Sequence, residues 1–297
     1  GEEYPEIVMI YFNNDYSEGC HNQVLNKLIA TNLEQTPGYG TDDHCQSAAK
    51  KIKAACGRED VDVHFLVGGT QTNTTVIAAA LRPYQGVISA QTGHIACHET
   101  GAIEATGHRV LGLPSVHGKI CGQQVREYVK NHFADPSFEH TVQAGMVYIS
   151  MSTELGTMYN RSQLKDLYYT CKQLGLYLFI DGARLGYGLA AENGDLTPAD
   201  VAKFCDVFTV GGTKMGALFG EAVVINNPEL NVRFRYMIKQ HGGMLAKGRL
   251  LGVQFDTLFT DGLYEKITGN AARQALRIRE AFEKKGVKMH FDSPTNQ

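Results

Sequence analysis

Tyr177-Leu178-Phe179-Ile180-Asp181-Gly182-Ala183-Arg184 and, further on, Val207-Phe208-Thr209-Val210-Gly211-Gly212-Thr213-Lys214 are two versions of one arrangement. Each begins as an apolar run of strand length, without polar alternation. Each ends at a glycine-containing turn that presents a charged residue, acidic Asp181 in the first and basic Lys214 in the second. Continuous apolar runs are what strands covered on both faces require. In open α/β sheets, ligands bind in the crevice beyond the carboxyl ends of the strands. The stretch therefore predicts an α/β fold with a carboxylate and an amine at its ligand-binding edge.

Outward from it, strand-like and helix-like segments alternate. Residues 8–12, 63–67, 86–90, 109–113, 146–151 and 219–225 read as strands. Residues 22–31, 42–56, 70–81, 125–133 and 162–174 carry apolar residues at helical spacing, the last with Gly175 at its C-cap. After Pro228 the character changes to long helical stretches at 230–238 and 272–285. This pattern predicts a large domain with a mainly parallel sheet covered by helices on both faces. A smaller C-terminal α/β domain is expected to follow, incomplete in this chain, which stops at Gln297 soon after a strand expected at 287–291. The expected division is 1–30 for an N-terminal arm and helix, 31–240 for the large domain, and 241–297 for connecting helices and the start of the small domain.

The 297 residues are 43% hydrophobic and 20% charged, within the range of a folded globular chain. A net charge of −3 without a long basic run argues against nucleic acid or an anionic membrane as partner. No apolar stretch approaches the roughly 20 residues of a membrane span, and the acidic start, Gly1-Glu2-Glu3-Tyr4-Pro5, has no signal-peptide pattern. Seven scattered cysteines without a C-x-x-C pair predict free thiols and a reducing, cytoplasmic setting.

Taken alone, Lys214 reads as an ordinary surface lysine after a turn, and Asp181 as half of a local ion pair with Arg184. Together, at two strand ends, they match what pyridoxal phosphate (PLP) needs: an amine for a Schiff base and a carboxylate beside the pyridine nitrogen. PLP also carries a phosphate. Gly68-Gly69-Thr70, between a strand and a helix, offers backbone N–H groups and a hydroxyl for one, or else is a plain tight turn with Thr70 as cap. His94, His98, Glu99 and His108 form a histidine-rich patch, in which His94 and His98 would share a helix face. The H-E-x-x-H order is absent and no third ligand is set by spacing, so no metal is expected. His94 can instead stack on a cofactor ring and move protons. The glycines at 182, 186 and 188 are in the wrong order for a dinucleotide fingerprint.

Phe179 to Leu185 resembles the D-G-A-R-L segment of threonine aldolases, in the aldolase and β-eliminating lyase group of PLP enzymes with the aspartate-aminotransferase-like fold, fold type I. Four further segments agree in order and approximate spacing. Tyr39-Gly40-Thr41-Asp42 resembles the family's Y-G-x-D turn. Phe65 through Asn73 resembles its S-G-T-x-x-N phosphate loop, His94 through Gly101 its H-I-x-x-x-E-x-G segment, and His241-Gly242-Gly243-Met244 its G-G-G-M turn. The resemblance spans about residues 8 to 270. It implies that Lys214 forms the Schiff base, that Asp181 pairs with the pyridine nitrogen, that Gly68, Gly69 and Thr70 hold the phosphate, that His94 stacks on the ring, and that Arg184 contacts the cofactor or the substrate carboxylate. It also implies a homodimer or homotetramer.

The departures fall on the substrate side. Gly68 replaces the loop serine, Asn14-Asp15-Tyr16 replaces S-D-T, and Leu245 stands where an arginine follows G-G-G-M. The carboxylate-binding arginine of the small domain has no counterpart before Gln297. The expected activity is a retro-aldol cleavage of threonine or allo-threonine to glycine and an aldehyde. β-Elimination or transamination of a small amino acid, or a non-catalytic ligand-binding role, stay open as alternatives.

Overall fold

The computed structural model describes residues 9–297. Within them, seven strands form one sheet: β1 (Asp62–Leu66), β2 (Gln85–Ala90), β3 (Val110–Leu113), β4 (Gln143–Ser150), β5 (Tyr177–Asp181), β6 (Val207–Gly211) and β7 (Glu221–Ile225). Their order is β1-β7-β6-β5-β4-β2-β3. All pairings are parallel except those of β7, which runs antiparallel to both β1 and β6. The mainly parallel α/β fold expected from the sequence is present.

The apolar runs lack alternation because both faces are buried. Leu178 and Ile180 of β5, Phe208 and Val210 of β6 and Val224 of β7 face one core. The helices Asp43–Cys56, Gly122–Ala134, Arg161–Leu174 and Arg249–Leu258 close that core with residues such as Ile52, Val125, Leu164 and Phe255. Phe179, Val207 and Val223 face the other, covered by the helices Gly69–Ala80 and Phe234–Gln240 through Val76, Ile77, Phe234 and Ile238. Local chemistry sets the helix ends. Asp42 accepts the Cys45 N–H at 2.9 Å, Asn160 and Gln163 form a capping box, and Gly175 ends that helix at φ 68°.

Four expectations are corrected. Val8 lies outside the described residues, and Met9 to Phe12 form no strand; their side chains are exposed and meet no strand to pair with. Residues 287–291 also form none: Val287 and Met289 are exposed, so neither a pairing edge nor a covering layer is available. The helical stretch at 230–238 is two short helices, Pro228–Asn231 and Phe234–Gln240, because Arg233 adopts φ 58°, the left-handed region that breaks a helix. The helix at His94 ends at Cys97, so His98 caps it rather than sharing its face.

Ile180 is fully buried in the middle of the sheet. Ile180→Ala is expected to lower unfolding stability by about 2–5 kcal/mol. An unchanged urea midpoint at unchanged slope would contradict that packing.

Candidate active site

The ends of β2, β4, β5 and β6 converge on the start of the helix Gly69–Ala80. A cleft lies between them, lined by Gly69, His94, Asp181, Arg184 and Lys214, together with Glu99 and Glu154. Five of the seven expected site residues thus line one cleft. Gly68 is the N-cap of the adjoining helix, and Thr70 is exposed at its first turn.

Asp181 ends β5 and is 6% exposed. Its Oδ2 accepts the Tyr148 hydroxyl at 2.5 Å and the Asn73 amide at 3.0 Å, and its Oδ1 accepts the Ala183 N–H at 2.9 Å. Burial, and then the Asp181 charge, push the Tyr148 phenol well above its usual range, so it stays a donor. Gly182 is required next to Asp181 by close packing. A Cβ there would lie 1.8 Å from the Thr209 carbonyl oxygen, while the Gly182 N–H donates to Thr209 Oγ1 at 2.7 Å.

Asn73 extends the network. Its amide also donates to Glu99 Oε1 at 2.8 Å, and the same oxygen meets His94 Nδ1 at 2.7 Å. The Glu99 side chain is fully buried, and its Oε2 has no partner among the described residues. The hydrogen bond to Glu99 holds the His94 imidazole above its usual range against the opposing effect of burial, and the Glu99, Asp181 and Glu154 charges add to it. Glu154 accepts the His94 N–H at 2.8 Å and the Ser150 hydroxyl at 2.5 Å. Burial nevertheless raises its carboxyl.

Arg184 forks onto Asp15, with Nε 2.8 Å from Oδ2 and Nη2 3.0 Å from Oδ1. Burial would raise the Asp15 carboxyl, but the Arg184 hydrogen bond and charge, and the Lys214 charge, outweigh it and hold Asp15 below its usual range. The Lys214 ammonium has no hydrogen-bond or ion-pair partner among the described residues and lies 6.0 Å from the Tyr16 ring centre. Its carbonyl accepts the Tyr187 hydroxyl, which anchors the turn.

These donors fit PLP. The helix starting at Gly69 has no side-chain cap, and a Cβ at Gly68 or Gly69 would meet nothing within 4 Å. Its first N–H groups therefore face open space suited to a phosphate. Asp181 is an acceptor held rigidly for a ring N–H, and Lys214 is an unpaired amine.

Tyr148, Glu154 and Asp15 were not singled out as site residues by sequence reasoning. Tyr148 sits inside an apolar run, where its hydroxyl carries no local signal. Only the pairing of β4 with β5, which sets Ser150 opposite Asp181, brings it into the site. Asn73 and Glu99 occur in the quoted segments, but their shared hydrogen bonds are visible only in three dimensions.

Residues 16–281 match the sequence profile of the beta-eliminating lyase family. A low specificity L-threonine aldolase of Pseudomonas aeruginosa is 29% identical over 294 residues, covering 96% of this chain and 82% of the relative. One from a Pseudomonas species is 32% identical, covering 88% and 74%. A solved structure of Leishmania major threonine aldolase superposes with a TM-score of 0.92 at 43% identity, covering 95% of this chain and 81% of that one. Thermus thermophilus aspartate aminotransferase superposes at 0.69 with 13% identity, a likeness of fold alone.

The His94–Glu99 pair makes a pH prediction. Because the folded His94 value lies above the ordinary 6.5, its contribution to stability is complete below that value and is lost as pH rises through the folded one. In Glu99→Gln the His94 imidazole is expected to titrate at lower pH, followed by NMR. An unmoved titration would show that the pair does not form.

Proposed function

This chain belongs to the beta-eliminating lyase family, and within it to the threonine aldolases, and we propose that it cleaves the Cα–Cβ bond of threonine or allo-threonine, giving glycine and an aldehyde. The observation that carries this reading is the meeting, in one cleft, of Lys214, Asp181 and an uncapped helix start.

PLP, when bound, supplies an aldehyde that captures amines and a ring that accepts electrons. In this reading Lys214 would provide the amine that holds the cofactor. The Asp181 carboxylate, steadied by Tyr148 and Asn73, keeps a proton on the ring nitrogen. The N–H groups after Gly68, with Thr70, hold the phosphate. His94, its Nδ1 tied to Glu99, would lie beside the cofactor and has Nε2 left to take or return a proton at the substrate's β-hydroxyl. Arg184 spends Nε and Nη2 on Asp15, which leaves Nη1 for a substrate carboxylate.

We extend the proposal to a homodimer or homotetramer in the cytoplasm, with 1–30 as N-terminal arm and helix, 31–240 as the PLP-binding large domain and 241–297 as connecting helices and the start of the small domain. Exposed apolar side chains at Met9, Ile10, Tyr11 and Phe12 support an oligomer. The seven cysteines are unpaired, and among the described residues no helix is long and apolar enough to cross a membrane.

Incubating the PLP-loaded protein with threonine and with allo-threonine is expected to release glycine and acetaldehyde. Lys214→Ala is expected to lose the visible absorption band and at least about a thousandfold in turnover. Pyruvate and ammonia from serine, with no glycine from threonine, would replace aldol cleavage by elimination.

A further inference from the structure

Glu221 opens β7 and is 3% exposed. It stands opposite Gly211 of β6 on one side and Leu66 of β1 on the other. Because β7 runs against its neighbours, its first residue lies at their carboxyl ends. That is between the Gly68–Gly69 turn and the turn carrying Thr213 and Lys214. Alternation puts Glu221 on the face of Val223 and Ile225, which is also the face of Phe179 and Tyr148 and hence of Asp181.

The Thr213 hydroxyl donates to Glu221 Oε1 at 3.3 Å and accepts the Gly220 N–H at 3.0 Å, tying the lysine turn to the start of β7. The other oxygen, Oε2, is buried without a partner among the described residues. A buried carboxylate left so poorly satisfied is costly. The ionisable groups facing it are Asp181 from β5, Lys214 from the turn after β6, and Tyr264 from the helix Leu263–Lys284. Burial and then the Asp181 charge push the Glu221 carboxyl up to about 8, against the pull of Lys214 and the Thr213 hydrogen bond.

We propose that Glu221 is a positioning residue for Lys214: it fixes the lysine turn through Thr213 and presents a buried carboxyl group beside that turn, so that a positive charge on the lysine nitrogen is favoured. As a neutral acid it avoids competing with Asp181 for the cationic ring. As a carboxylate, the cation it faces among the described residues is the nitrogen of Lys214. The inference rests on the PLP reading of Lys214, and the experiment separates the two.

The PLP-loaded wild type and Glu221→Gln are titrated with alkali while the visible band of the lysine–cofactor linkage is followed. The Gln variant is expected to lose the positively charged form about one pH unit earlier, a tenfold drop in proton affinity. Bound PLP, measured after denaturation, is expected to be unchanged. Coincident curves overturn the proposal. A wild type without a visible band overturns the PLP reading of Lys214 and this proposal with it. If circular dichroism and gel filtration show that the Gln variant is unfolded, Thr213→Val is titrated instead. Losing the hydroxyl delays ionisation of Glu221, so the same acidward shift is expected, and a coincident curve again overturns the proposal.

Discussion

A carboxylate removed from water must find donors or a cation, and Asp181 has three neutral donors, the Ala183 N–H of its own turn and two side chains from other elements. Tyr148 reaches it from the adjacent strand and Asn73 from the helix that begins at the phosphate turn. Since Asn73 holds Glu99 with the same amide, and Glu99 holds His94, one side chain ties the floor of the cleft to its wall. Displacing Asn73 would release a strand end, a helix and an imidazole together. Buried polar networks of this kind act as units, and their members cannot be valued one at a time.

The backbone beneath this network explains its rigidity. Gly182 allows β5 and β6 to approach until no Cβ fits between them, so the carboxylate is carried next to a close backbone contact. The lysine sits on a turn with its own restraints, the Tyr187 hydroxyl on its carbonyl and the Thr213 hydroxyl on Glu221. A rigid acceptor beside a tethered amine suits a flat cofactor, whose ring must stay in one plane while bonds to it are exchanged.

Much of this was legible because the local and the global arrangements agree. Apolar runs ending in Asp181 and Lys214 read directly as buried strands delivering charges. Gly175 announced the end of its helix. What escaped depends on pairing at a distance. β7 is apolar on both faces, so its direction leaves no trace in its composition, and its antiparallel course is what brings Glu221 to the site. Residues 287–291 have the composition of a strand, but composition supplies no partner. Arg233 breaks a helix by a backbone angle that its neighbours do not signal. The role of Tyr148 is a property of the pairing of β4 with β5 rather than of the run it belongs to.

The direction of β7 also orders the birth of the molecule. β1 lies beside β7 alone, so an early strand waits, unpaired, for one made much later in the chain. Contacts between distant segments form slowly, and open strand edges invite wrong partners meanwhile. On the ribosome, the central parallel strands have neighbours before the edge strand has any. β7 pairs Glu221 with Leu66 on one side and with Gly211 on the other. The phosphate turn after β1 and the lysine turn after β6 are therefore held in register by one strand, whose first residue stands opposite the last residue of each neighbour.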